Sequence, residues 1–256
     1  MALNETRFVQ YGETHIVKYE LDFPGFEGVE FTESSKEVLT WPAAVKFAAD
    51  QNSVLQSVRE VGAFRIEAEE KDDADRYQAT RTCAVYFKDG SNFYVAFDDA
   101  PEASQNIILE RVQEDYDAAF NGREWILPKT DRHIAQILKR AEKSDRVIPV
   151  VESLLELMTK ASTCSSEFGS NDTVQALLGD VAEPYARMLH KRDYHKGLVY
   201  LLTLSILDKH VDAQSALVRP VGVGCVSFFS VVGVDLFDVG RARGVRNAHN
   251  FHRKQK

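Results

Sequence analysis

The feature that most restricts the fold of this sequence is a tight-turn signal between two aromatic segments. Asp89-Gly90 separates residues 77–87 from residues 92–97, and both segments alternate apolar with polar residues. Such a pattern is typical of a β-hairpin, because glycine accepts the positive φ that primed turns require. Residues 63–69 also alternate, so we predict a three-stranded antiparallel meander.

Helical periodicity dominates on both sides of this meander. Before it, apolar residues recur at helical spacing over residues 43–61, and Gly62 ends this predicted helix. After it, we predict five more helices. They cover residues 101–120, a helix capped by Thr130 with Ile134 and Ile137 on its apolar face, one beginning at Pro149, one capped by Asp172, and a buried one over 193–210.

The C-terminal part returns to strand-forming residues. Residues 216–239 are rich in Val, Phe and Gly, which predicts two strands with a turn or bend over 220–224. The fold class is therefore α+β. We predict an acidic β-rich unit over 1–123, an α-helical unit over 124–214, and a C-terminal β segment with a basic tail over 215–256. The last unit can pack with the first as a single domain.

Charge is distributed unevenly along the chain. Residues 1–120 hold 24 acidic and 11 basic residues, whereas residues 121–256 hold 15 acidic and 20 basic residues. No acidic residue follows Asp238, while six Arg and Lys residues do. This asymmetry favours head-to-tail association between copies, or contact of the tail with another acidic partner.

The basic tail is the candidate binding site. Its arginines are separated by small residues, and an aromatic side chain near the end can stack on a base. We expect this segment, from Gly240 onward, to be irregular and mobile in the free monomer. The predicted binding residues are Arg241, Arg243, Arg246, Phe251, Arg253, Lys254 and Lys256. Three readings remain open: contact with nucleic acid, docking on another protein or another copy, and a solvated end without a role.

An acidic cluster offers an alternative, enzymatic interpretation. Glu67 and Glu69 would share one face of a predicted strand, and Asp98 ends another strand of the same meander. Converging carboxylates can hold Mg²⁺ or Mn²⁺, so the alternative function is a metal-dependent nuclease or hydrolase. His190 and His195 are five residues apart, a spacing that does not align them on one helix face.

The remaining signals favour a binding function in the cytoplasm. The sequence contains no phosphate-binding loop, zinc-protease or nucleophile-elbow motif, so we assign no catalytic residue, no metal ligand and no cofactor. Its three cysteines are widely spaced, and neither an N-terminal signal sequence nor a membrane-spanning run is present. We therefore expect a non-catalytic binding or assembly protein. Its expected partner is another copy or another protein, with nucleic acid as the alternative and no membrane contact.

Overall fold

The computed structural model describes residues 4–5, 9–11, 14–16, 19–20, 23–67, 77–100, 125–152, 154–159, 166–224, 228–230 and 241–247. Its centre is the predicted hairpin. Strand β7 (Gln78–Asp89) pairs with β8 (Asn92–Asp98), Asp89 lies opposite Asn92, and Gly90 has φ +59°. The third strand of the predicted meander is not residues 63–69. Instead β13 (Ser215–Val223) pairs with the other side of β7.

This central sheet is built from distant parts of the chain. Along its path the strands are β10 (Val147–Pro149), β8, β7, β13, β14 (Phe228–Ser230), β12 (Lys196–Tyr200) and β11 (Leu154–Met158), and β9 (Trp125–Pro128) also pairs with β13. Every pairing is antiparallel except that of β12 with β14. Pro220 lies in β13 between the residues that pair with β9 and those that pair with β14. The register against β7 shifts just after it. Proline has no N–H to donate, and within sheets it is found at such irregular positions.

Helices cover both faces of the central sheet. Alternate residues of each strand point to opposite sides, so each strand contributes side chains to both cores. On one face, Cys83 and Val85 pack with Ile134 and Ile137 of α3 (Arg132–Lys143). On the other face, Tyr86 belongs to a core that contains Phe168, Leu207 and residues of four helical segments. These are α2 (Val58–Glu67), α5 (Asp172–Leu178), a 3₁₀ turn (Gly179–Val181) and α6 (Ala182–Lys191).

A second sheet joins the two ends of the chain. Its order is β1 (Asn4–Glu5), β4 (Tyr19–Glu20), β5 (Val29–Phe31), β15 (Gly244–Asn247) and β6 (Val54–Leu55). β2 (Val9–Tyr11) and β3 (Thr14–Ile16) form a separate hairpin. A small core of Trp41, Ala44, Leu55 and Ala242 lies beside this sheet.

The predicted helix over 43–61 is wrong in its extent. The structure has α1 (Trp41–Asp50), then β6, and then α2. Asn52, with φ +52°, turns the chain out of α1. The predicted strand 63–69 is also wrong, since residues up to Glu67 belong to α2. Gly62 lies inside that helix, and its lack of a side chain leaves room for Leu178, since a Cβ there would come within 2.8 Å of Leu178 Cδ2.

Two further helices are wrong in the middle of the chain. Residues expected to form a helix from Pro149 form the end of β10 and then β11, and the predicted helix 193–210 is replaced by β12 and α7 (Leu204–His210). Both stretches are Leu-rich, and periodicity alone does not separate a short apolar strand from a helical segment. The helix predicted after Thr130 is confirmed, but its N-cap is Asp131 rather than Thr130. Residues 101–120 lie outside the described part.

The α+β class is confirmed by the mixture of helices with mainly antiparallel sheets. The short helix α4 (Glu167–Ser170), capped by Ser166, leads into α5, whose N-cap is Asn171 rather than the predicted Asp172. β13 hydrogen-bonds to β7 and to β9, so it joins the predicted first and middle units to the third. The division into three units stays a prediction.

Candidate binding surfaces

The first arginines of the predicted basic tail lie inside the fold. β15 is hydrogen-bonded to β5 on one side and β6 on the other. The Arg243 side chain donates to the Thr32 carbonyl over 2.7 Å, and its guanidinium carbon lies 3.9 Å from the centre of the Phe64 ring. Arg243 is 2% exposed. For residues 241–247, the expected irregular and mobile segment is therefore wrong.

The two neighbouring arginines have similar anchoring contacts. Arg246 Nε donates to Glu30 Oε2 over 2.6 Å, and Arg241 donates to the Ser35 carbonyl. Gly244 allows the close approach of this strand, because a Cβ there would overlap the Ser53 hydroxyl. Phe251, Arg253, Lys254 and Lys256 lie outside the described residues.

The carboxylates of the central hairpin are occupied by arginines. Asp98, 6% exposed, accepts from Arg140 at 2.5 and 3.3 Å. The neighbouring carboxylate, Asp99, accepts from Arg146 over 2.7 Å and from the Thr82 hydroxyl over 2.6 Å. These contacts neutralise charge that a divalent cation would otherwise balance.

A third buried pair lies close to these carboxylates. Glu60 binds Arg81 through 2.5 and 2.9 Å hydrogen bonds. Desolvation acts to lower the pKa of Arg81, but the Glu60 carboxylate outweighs it, so the pKa is raised overall. Both side chains are about nine-tenths buried in this pair. The pair therefore links α2 to β7 within the fold.

The acidic alternative loses its geometric basis. Glu67 is the last residue of α2 rather than a strand residue beside Asp98, and Glu69 lies outside the described part. Among the residues that the structure describes, no three His, Cys, Asp or Glu side chains converge on a metal-sized site. Burial, with Asp98 and Asp99 adding to it, raises the pKa of the Cys83 thiol, so Cys83 stays protonated and is a poor nucleophile.

The solvent side of α3 carries a basic stripe, which we call the α3 basic face. It consists of Arg132, Lys139 and Lys143. Their spacing of seven and four residues places them on one side of the helix, opposite the buried Ile134 and Ile137. All three are exposed, and none forms an ion pair with another described residue.

A cleft lies at the tip of the central hairpin. It measures about 600 Å³ and is lined by Asn92, Phe93, Val151, Leu204 and Asp208 together with their neighbours. Val151 and Leu204 are 71% and 44% exposed. Lys88 lies beside it, 4.9 Å from the centre of the Phe93 ring and 3.5 Å from an Asp208 oxygen. This cleft combines an apolar wall with a polar rim.

The fold is similar to that of a solved protein structure. That structure is described as "Accommodation of massive sequence variation in Nanoarchaeota by the C-type lectin fold"; the TM-score is 0.54, with 12% identity over 83% of this chain and 94% of that chain. The likeness concerns the fold alone: both structures belong to the α+β class. No family model and no curated protein matches the sequence. Within the described ranges, none of the helices has the length and apolar character needed to cross a membrane.

Proposed function

We propose that this protein is a non-catalytic binding or assembly protein that engages an acidic protein surface, with a second copy of the chain as the first partner. The observation that carries the proposal is the α3 basic face, whose cations are exposed and lack ion pairs with other described residues. The buried or half-buried carboxylates of Glu60, Asp98 and Asp99, by contrast, are paired with arginines. Charge that serves the fold is thus separate from charge available to a partner.

The charge distribution supports a second copy as the partner. Residues 1–120 carry a net charge of −13, which complements a basic surface formed by later residues. A contact between two different surfaces is heterologous, so it propagates into a ring or filament. The whole chain carries −8, which disfavours a broad nucleic-acid platform. The similar structure, described as a C-type lectin fold, supports a binding role in general and indicates no partner.

The tail contributes in a narrower form than the sequence suggested. Arg241, Arg243 and Arg246 anchor its root in the fold. Binding through the tail therefore falls to Phe251, Arg253, Lys254 and Lys256. A truncation that tests this role should begin after Asn247, because removing β15 would take away a strand and its neighbours' hydrogen bonds.

The experiment changes the α3 basic face and measures oligomer mass. The test variant is Arg132→Glu/Lys139→Glu/Lys143→Glu. The matched control makes the same charge change at the exposed lysines Lys36, Lys46 and Lys209. Light scattering should show salt-sensitive oligomers for wild type and control, and a monomer for the test variant.

Two results would contradict the proposal. One is a wild-type mass that stays monomeric across concentration at low salt. The other is an equal loss of oligomer in test and control variants, which would indicate an effect of net charge alone. A wild-type monomer that binds duplex DNA, with affinity lost in the test variant, would replace the protein partner by nucleic acid.

A further inference from the structure

The structure brings together two histidines that the sequence spacing separates. Helix α6 ends at Lys191, and Asp193, with φ +61°, reverses the chain. His195 thereby returns beside His190, with ring centres 5.9 Å apart and ring planes at 52°. Both side chains are exposed. A helix continuing through 195 would have placed them on different faces.

The separation of the rings matches what one metal ion requires. Zinc–nitrogen bonds are about 2.0–2.1 Å, which puts an imidazole centre roughly 3.2 Å from the ion. Two imidazoles on one tetrahedral ion then have centres about 5.2 Å apart. The observed 5.9 Å differs by less than an ångström. Rotation of two exposed side chains closes such a gap, since exposed rotamers exchange readily.

The backbone holds the two residues in fixed relation. The N–H of Tyr194 donates to the Leu189 carbonyl over 2.9 Å, and the N–H of Asp193 donates to the His190 carbonyl over 3.1 Å. The carbonyl of His195 accepts from the Thr159 N–H over 3.0 Å. The pair is therefore attached to a hydrogen-bonded turn between α6 and β12.

Nearby positive charge is partly neutralised. Arg187 lies 3.6 Å from Glu183, and Lys196 lies 3.0 Å from Glu156. The turn between the histidines also contains the exposed carboxylate of Asp193. These acids reduce the repulsion that an arriving cation would meet.

We infer that His190 and His195 form a two-imidazole binding site for a borderline divalent metal of the Zn²⁺, Ni²⁺ or Cu²⁺ type. Neutral imidazole suits these ions, whereas Mg²⁺ and Ca²⁺ prefer oxygen ligands. The two rings supply two positions, and water completes the coordination shell. This site is separate from the α3 basic face and does not depend on the proposed function.

The test is calorimetric titration of the full-length protein with ZnCl₂ and, separately, MgCl₂. Wild type should bind one Zn²⁺ at this pair. His190→Gln and His195→Gln should each lower the affinity for that ion at least tenfold. The matched control, His133→Gln, changes a histidine on α3 and should leave the affinity unchanged. MgCl₂ should give no heat of binding at this site.

Chelation by a pair is distinguished from binding to separate imidazoles. If each single variant lowers the affinity only about twofold, the rings act independently and the inference is wrong. Equal zinc binding by wild type and by the double variant His190→Gln/His195→Gln would also overturn it. Because both side chains are exposed, neither variant should shift the thermal midpoint of the metal-free protein by more than a degree or two.

Discussion

Replacing Arg243 by alanine tests whether this predicted tail residue serves the fold. The side chain is 2% exposed and contacts two segments that are distant in sequence, the Thr32 carbonyl and the Phe64 ring. Alanine removes both contacts and leaves a void beside β15. We therefore expect Arg243→Ala to destabilise the folded chain before any effect on binding can be measured.

The magnitude follows from the two contacts. A hydrogen bond from a charged donor contributes about 1.5–3 kcal/mol, and a desolvated cation–π contact contributes about 2 kcal/mol. Their combined loss, with the void, lowers the free energy of unfolding by roughly 3–5 kcal/mol. A solvated arginine changes it by about 0.5 kcal/mol or less. In a domain of this size each kcal/mol moves the melting temperature by about 2–4 °C, so the midpoint should fall by at least about 6 °C.

Thermal and urea unfolding followed by circular dichroism measure this effect. Arg132→Ala is the matched control, because it removes an exposed arginine of α3 and should shift the midpoint by less than about 2 °C. Arg243→Lys should fall between wild type and alanine, since lysine keeps the charge but not the planar fork. A midpoint for Arg243→Ala within 2 °C of wild type would refute the assignment of Arg243 to the core.

Three further outcomes are expected. Gly197→Ala should lower stability by about 1–3 kcal/mol in urea unfolding, because the new Cβ would overlap the buried Phe168 ring; an unchanged midpoint would mean that Phe168 moves freely. Leu201→Ala should cost about 2–5 kcal/mol in thermal melts, since Leu201 is only 2% exposed, and a shift below one degree would place it outside the core. Burial raises the pKa of the Cys83 thiol and the Tyr86 hydroxyl, whereas the unfolded chain loses these protons near their ordinary values of about 8.5 and 10. The contribution of these two protons to the free energy of unfolding should therefore be fully present below about pH 8.5 and should be lost as pH rises. Tyr86→Phe should make the decrease above about pH 10 less steep in urea titrations. A pH profile identical to that of wild type would contradict the assignment.

The first arginines of the basic tail form part of the fold, although the sequence predicts an irregular binding segment. An arginine has a long apolar stem and a charged end, so it can be buried where carbonyls and carboxylates accept its hydrogens. Arg243 and Arg246 meet this condition because Thr32, the residue after β5, and Glu30 of β5 accept their hydrogens. These acceptors lie more than two hundred residues earlier in the sequence.

Local signals were sufficient for the elements whose partners are close in sequence. The hairpin of β7 and β8 follows from Asp89-Gly90 and the flanking alternation, and its register needs no other segment. The helix α3 follows from its apolar stripe. The α+β class follows from the presence of both kinds of segment.

Long-range packing decided the remaining elements. Strand β13 completes the central sheet from more than a hundred residues away, and the Leu-rich segments around β11 and β12 become strands because that sheet offers them pairing partners. Gly62 lies within α2 rather than at a helix end, and Leu178 occupies the space that a side chain there would need. Sequence by itself determined the hairpin, α3, the α+β class and the asymmetry of charge, all of which depend on neighbouring residues. Only the tertiary structure decided which arginines are buried and that His190 meets His195, because these arrangements depend on acceptors and turns that no local periodicity encodes.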